Sequence, residues 1–237
     1  MSTVPPRQYR YLDVLINIFV VILIVSNLIA PKSFAVGPFR LSVAYMLFPI
    51  TYIFGDVFTE VYGYSASRRA IWIGFMASAV MAGFGVLAIL LPPAPEFKNQ
   101  AAFEIVFGVV PRNVAGSLLA FWCGEFANSL TLAKLKLLTN GRFLWTRTVG
   151  STVVGQAVDT TIVMIFIFWG SPFAQIVNLI VSGYLFKVVY EVAATPLTYW
   201  VVNTLKRREG VDFFDRSTNF NPFAVGAPVA PAVEAQT

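Results

Sequence analysis

Long apolar runs alternate with short polar ones along the whole chain. A helix needs about 20 mostly apolar residues to cross a bilayer, and six runs approach or exceed that length. The first covers about Tyr11–Ala30 and stops at Pro31. The second begins near Leu41 and fades into acidic residues after Gly55. The third is Ala70–Leu91, closed by Pro92 and Pro93. The fourth starts after Pro111 and ends near Leu138, before Asn140-Gly141. The fifth is about Trp145–Trp169, and the sixth about Phe173–Leu205. The sixth is longer than a crossing needs, so it tilts or projects beyond the bilayer. A short interfacial helix is expected around Ala101–Val110. In the third run, Gly74, Ser78 and Ala82 recur every four residues, a spacing that lets helices approach closely.

Three of these runs are interrupted by polar pairs near their middles: Glu125 with Asn128, Gln156 with Asp159, and Lys187 with Glu191. Members of each pair are three or four residues apart and share a helix face. An ionisable group in hydrocarbon is costly, so it faces a partner, a cavity or a substrate. Two readings follow: a polar ligand site, or an interhelical network that only fixes packing, with Lys187 and Glu191 neutralising each other. Asn27, near the outer end of the first run, is a further candidate ligand. A second polar group, Asp56 and Glu60, lies one turn apart at the inner end of the second run. Like charges at that spacing repel. Arg68, Arg69 or Lys134 are the expected partners, either as a gate or as an ion-paired corner.

Composition agrees with the runs. Of 237 residues, 57% are hydrophobic and 12% charged, whereas soluble domains carry about 25% charge. The positives behind the net charge of +5 are scattered between apolar runs, which points to membrane topology and not to nucleic-acid binding. With the N-terminus inside, the inner segments carry Arg7, Arg10, Arg68, Arg69, Lys134, Lys136, Arg142, Arg147, Lys206, Arg207, Arg208 and Arg216. The outer ones carry Lys32, Arg40, Lys98 and Arg112. This bias places both termini in the cytoplasm. The expectation is an all-α integral membrane protein: a cytoplasmic segment over 1–10, a six-helix transport domain over 11–208, and a largely disordered tail over 209–237.

Several chemistries are excluded. The chain has no histidine and a single cysteine, Cys123, so His-based metal sites, Ser-His relays and internal disulfides are absent. No phosphate-binding G-x-x-x-x-G-K-[ST] loop occurs. No cofactor or metal is expected, and no enzyme activity. The open classes are a solute carrier and a structural or regulatory membrane subunit.

The run Asp56-Val-Phe-Thr-Glu-Val-Tyr-Gly63 with Ser67-Arg-Arg69, the pair Pro111-Arg112, the stretch Ala127–Lys136, and Trp145–Ser151 leading to Gly155-Gln-Ala-Val-Asp159 resemble one family. It is the bacterial queuosine precursor transporters, also grouped as vitamin uptake transporters. The likeness runs from about Tyr11 to Leu205. It implies a six-helix fold similar to the substrate-binding S components of energy-coupling-factor transporters, in the bacterial inner membrane. It also implies uptake of 7-cyano-7-deazaguanine or its 7-aminomethyl relative for queuosine synthesis in transfer RNA. Another small heterocycle is the alternative substrate. A homodimer and a separate energising ATPase module stay open as partners. A deazaguanine offers adjacent N–H donors beside a carbonyl oxygen. A carboxylate of Asp159, Glu125 or Glu191 can accept those donors, and the amide of Asn128 or Gln156 can donate to the oxygen.

Overall fold

The computed structural model describes residues 9–29, 32–36, 39–108, 111–167, 169–170, 172–216 and 218–224. Helices α1 (Leu12–Ile29), α2 (Phe48–Val57), α3 (Tyr64–Leu90), α4 (Gln100–Phe107), α5 (Pro111–Leu138), α6 (Leu144–Ile167) and α7 (Phe173–Glu209) follow one another. A short antiparallel hairpin of β1 (Ser33–Val36) and β2 (Phe39–Ser42) links α1 to a 3₁₀ turn at Val43–Met46. The helical class holds, but the expected second span does not run unbroken from Leu41. Its first part is the hairpin and the turn, and Pro49 opens α2 inside the first turn, where a missing N–H is harmless.

Among the described residues, four helices are long and apolar enough to cross a membrane: α1, α3, α6 and α7. Their outer faces carry exposed aliphatic and aromatic side chains such as Val21, Phe84, Leu90, Val189 and Trp200, as a lipid-facing surface requires. Helix α5 has 28 residues, about 42 Å at the helical rise, but polar residues dilute its hydropathy. Helix α7 has 37 residues, about 55 Å, so it extends well past a core about 30 Å thick.

Helix α2 continues into a π-helical turn, Phe58–Tyr62, which ends at Gly63 with φ +86°. That conformation favours glycine, and the site is also crowded: a Cβ there would lie 2.2 Å from the ring of Phe213. The core around this junction is aromatic and aliphatic, with Phe19, Phe58, Val61, Tyr62 and Val202 buried. Helix α7 ends at Gly210 in the left-handed conformation, and the chain then doubles back.

Residues 211–216 and 218–224, part of the tail expected to be disordered, pack against α3 and α5 as a strap. Asp215 accepts from the Tyr64 backbone N–H at 3.1 Å, and Arg68 donates to the carbonyls of Asn219 and Asn221 at 2.7 and 2.9 Å. Trp72 donates to the Pro222 carbonyl at 2.8 Å. Residues 225–237 lie outside the described residues, as do 1–8 of the N-terminal segment. The two ends of the bundle chain meet. The backbone N–H groups of Arg10 and Tyr11 donate to the Glu209 carboxylate at 3.1 and 2.8 Å, so α1 begins where α7 ends.

Candidate functional site

Helices α5 and α6 are joined by a tight turn with Asn140, Gly141 and Phe143 at positive φ. They run antiparallel and touch backbone to backbone at two glycines. A Cβ at Gly124 would lie 2.7 Å from the Asp159 Cβ, and one at Gly155 would lie 2.7 Å from the Asn128 Cβ. This crossing sets the polar pairs of the two helices side by side. Helix α2 closes on them through a third glycine: a Cβ at Gly55 would meet the Glu125 carboxylate at 2.6 Å.

The resulting cluster is buried. Asp56, Glu125, Asn128, Gln156 and Glu191 are at most 2% exposed, and Asp159 is 7% exposed. The Asn128 amide donates to Asp56 Oδ1 at 3.0 Å. Tyr52 on α2 brings its hydroxyl beside Gln156 and Asp159. Glu191 on α7 faces Asp56 and Glu125. Six buried acceptor atoms here have no hydrogen-bond partner among the described residues: both Glu125 carboxylate oxygens, Asp56 Oδ2, Asn128 Oδ1, Gln156 Oε1 and Glu191 Oε1. Buried polar atoms are nearly always paired, so this concentration marks the centre of the bundle as chemically unusual.

Three expectations about partners change. Lys187 does not neutralise Glu191; its ammonium ion-pairs across the helix interface with Asp159. Asp56 and Glu60, one turn apart, belong to different environments, because Asp56 faces the amide cluster and Glu60 faces cations. Those cations are not Arg68, Arg69 or Lys134. Arg68 holds the strap, Arg69 pairs loosely with exposed Asp13 at 3.7 Å, and Lys134 is exposed. Glu60 is instead gripped by Arg147 at 2.6 Å, Lys206 at 2.7 Å and Lys136 at 3.5 Å. Asp212 of the strap joins them, 2.7 Å from Lys136 and 2.8 Å from Lys206. Burial pushes the Asp212 carboxyl up, but Lys136 and Lys206 outweigh it and hold the group below the usual carboxylate range. Asn27 is half-buried near the end of α1 and makes no hydrogen bond to the cluster among the described residues.

Sequence reasoning counts Tyr52 only among several aromatics near the polar groups, and it misses the glycine crossing and the cation triad at Glu60. Gly124 and Gly155 each adjoin a polar residue of the cluster, which is a readable sign. The triad is not readable, because its members come from three distant helix ends. Separate from the cluster residues, a shallow groove on α3 is lined by Arg69, Trp72, Ile73, Met76 and Ala77 and presents mainly apolar surface.

Two comparisons relate the chain to transporters. The "Probable queuosine precursor transporter" of Bacillus subtilis (strain 168) is 32% identical over 146 residues, 61% of this chain and 64% of that protein. The match thus spans less than two thirds of the relative's length. No solved structure matches. Residues 42–201, which include every member of the polar cluster, match the family described as "Putative vitamin uptake transporter". With four apolar helices of membrane length, the chain is a multi-pass membrane protein that belongs to this transporter family.

Proposed function

We propose that the chain imports a queuosine precursor, 7-cyano-7-deazaguanine or 7-aminomethyl-7-deazaguanine, across the bacterial inner membrane and binds it at the polar cluster. Six crossings, made by α1, the α2 segment with its π turn, α3, α5, α6 and α7, bring both termini to the cytoplasm. The joined ends at Tyr11 and Glu209 support an even number of crossings, and the Lys and Arg bias supports the inside placement.

The observation that carries the reading is the set of six unpartnered acceptors buried between α2, α5, α6 and α7. A flat base with several N–H groups is the complementary ligand. Glu125, with both oxygens free, accepts the adjacent N–H pair in a fork. The side-chain carbonyls of Asn128 and Gln156 accept further donors, and their amides reach the ring oxygen. Lys187, Asp159 and Glu191 set the charge around the base, and Tyr52 lies beside it as an aromatic wall. The name of the Bacillus subtilis relative supports this class of substrate.

Binding of radiolabelled 7-cyano-7-deazaguanine to the purified protein tests the reading. Wild type should bind it. Glu125→Ala should weaken binding at least about thirtyfold, because a lost charge-assisted hydrogen bond in a buried site costs roughly 2–5 kcal/mol. No binding by folded wild type, or undiminished binding by the variant, would refute the assignment.

A further inference from the structure

The same cluster has a charge imbalance. Its one cation, Lys187, is committed to Asp159. The next cations, Lys136 of α5, Arg147 of α6 and Lys206 of α7, gather around the π turn and are committed to Glu60 and Asp212. That leaves Asp56, Glu125 and Glu191, at 0%, 0% and 2% exposure, without a counter-charge among the described residues. We propose that Asp56 and Glu191 share a proton that crosses with the ligand, so that uptake is proton symport.

The geometry fits a proton. Asp56 and Glu191 stand on facing helices, α2 and α7, and face one another. The Asn128 amide occupies Asp56 Oδ1 and leaves Oδ2 without a partner, like Glu191 Oε1. Two such carboxyls in a water-poor interior share one proton, since the alternative is two adjacent uncompensated charges. The charged groups that act most strongly on Asp56 are all acidic: Glu191 from α7, Glu125 from α5, and Glu60 from the π turn. Glu125 is itself fully buried, unpartnered and turned toward the pair.

The pair is also wired to the ligand. Asn128 bridges Asp56 to the side of the cluster where Glu125 and Gln156 lie. A base that donates N–H groups to Glu125 stabilises its negative charge. That charge is better tolerated when the neighbouring pair holds a proton, so ligand and proton favour each other's binding. The proton enters from the outside with the ligand and leaves to the inside. No other co-reactant is required.

This inference rests on the proposed ligand, and the test separates the two. Wild-type protein in liposomes is given radiolabelled 7-cyano-7-deazaguanine with a pH dye trapped in the lumen. Counterflow exchange without any gradient reports the ligand site. An inside-alkaline gradient of one pH unit should then drive accumulation of about tenfold for one proton per base, abolished by a protonophore. The lumen should acidify as ligand enters. Glu191→Gln and Asp56→Asn should each lower the ratio of gradient-driven accumulation to counterflow at least tenfold. Intact counterflow with no response to the pH gradient, or accumulation driven by a sodium gradient instead, would overturn proton coupling while leaving the ligand site standing. Absent counterflow would overturn both.

Discussion

Glu60→Gln tests what holds the inner end of the bundle together. The carboxylate is fully buried. It accepts from Arg147 Nη2 at 2.6 Å and Nε at 3.2 Å, and from Lys206 at 2.7 Å. Lys136 adds its charge at 3.5 Å and donates to the Glu60 backbone carbonyl at 2.6 Å. The amide keeps the volume but removes the charge. Asp212 still contacts both Lys136 and Lys206, so Arg147 is the cation left with no carboxylate at all. It keeps neutral contacts to the Arg142 carbonyl and the Thr139 hydroxyl. Removing one partner of a buried ion pair costs about 3–5 kcal/mol, and the lower end applies here because Asp212 remains. At about 2–4 °C per kcal/mol for a chain of this size, the melting temperature should fall by about 6–12 °C. Intrinsic tryptophan fluorescence of the detergent-purified protein reads this directly. Adding Arg147→Met should recover most of the loss, since the orphaned charge goes with it. The shift should also be insensitive to salt, because buried pairs are weakly screened. A Glu60→Gln protein that melts within about 2 °C of wild type would refute the ion cluster as the clamp.

Three further outcomes are expected. Lys187→Met and Asp159→Asn should each destabilise, and the double variant should show a coupling of about 1–3 kcal/mol in thermal melts; Lys187→Met with Glu191→Gln should be additive, and coupling in that second cycle instead would contradict the interhelical pair. Gly155→Ala should cost about 1–3 kcal/mol by overpacking, since the new methyl would lie 2.7 Å from the Asn128 Cβ and 3.0 Å from the Gly124 carbonyl, and it should weaken ligand binding by moving Asn128; wild-type melting and binding would show that the crossing can open at no cost. The Asp212 carboxyl is held low in the folded protein because Lys136 and Lys206 outweigh its burial, so its contribution is present above the unfolded value of about 3.9 and is lost as pH falls through the lower folded value; in stability measured from pH 6 downward, Asp212→Asn should be less stable than wild type at pH 6 and converge with it in strong acid, and a constant gap would count against it.

The helices were legible because apolar runs of membrane length are a strong signal, and Pro31, the pair Pro92-Pro93, and Pro172 mark where they end. The segment from Leu41 to Gly55 misled for the same reason. An apolar stretch reads alike whether it is a helix or, as here, part of a hairpin, a turn and a ten-residue helix. The polar centre was half legible. Helical spacing identified Glu125, Asn128, Gln156, Asp159 and Glu191 as groups at one depth, and the fold brings them together. Spacing could not name their partners. Lys187 and Glu191 lie four apart on one helix, yet Asp159 on α6 competes for the ammonium and wins it. Arg68 and Glu60 are near in sequence too, but Gly63 turns the chain between them, and Arg68 finds the strap instead.

Asp56 at the end of α2 and Glu60 in the π turn that follows show how one short segment divides labour by charge balance. Around Glu60 and Asp212, three cations meet two carboxylates, and each carboxylate is held by more than one cation. Such a site resists change, because every charge that leaves uncovers another. Around Asp56, one turn earlier, carboxylates outnumber cations and acceptors outnumber donors. Such a site is unstable by itself and is relieved by whatever brings donors or positive charge: a base with N–H groups, a proton, or both. The saturated end fixes α2, α5, α6, α7 and the strap relative to one another, which lets the unsaturated middle persist without the helices rearranging to satisfy it. Weakening the clamp should therefore act on the centre as well. In Glu60→Gln the helices gain freedom to repack around Glu125, and ligand affinity should fall although no atom of residue 60 belongs to the ligand site.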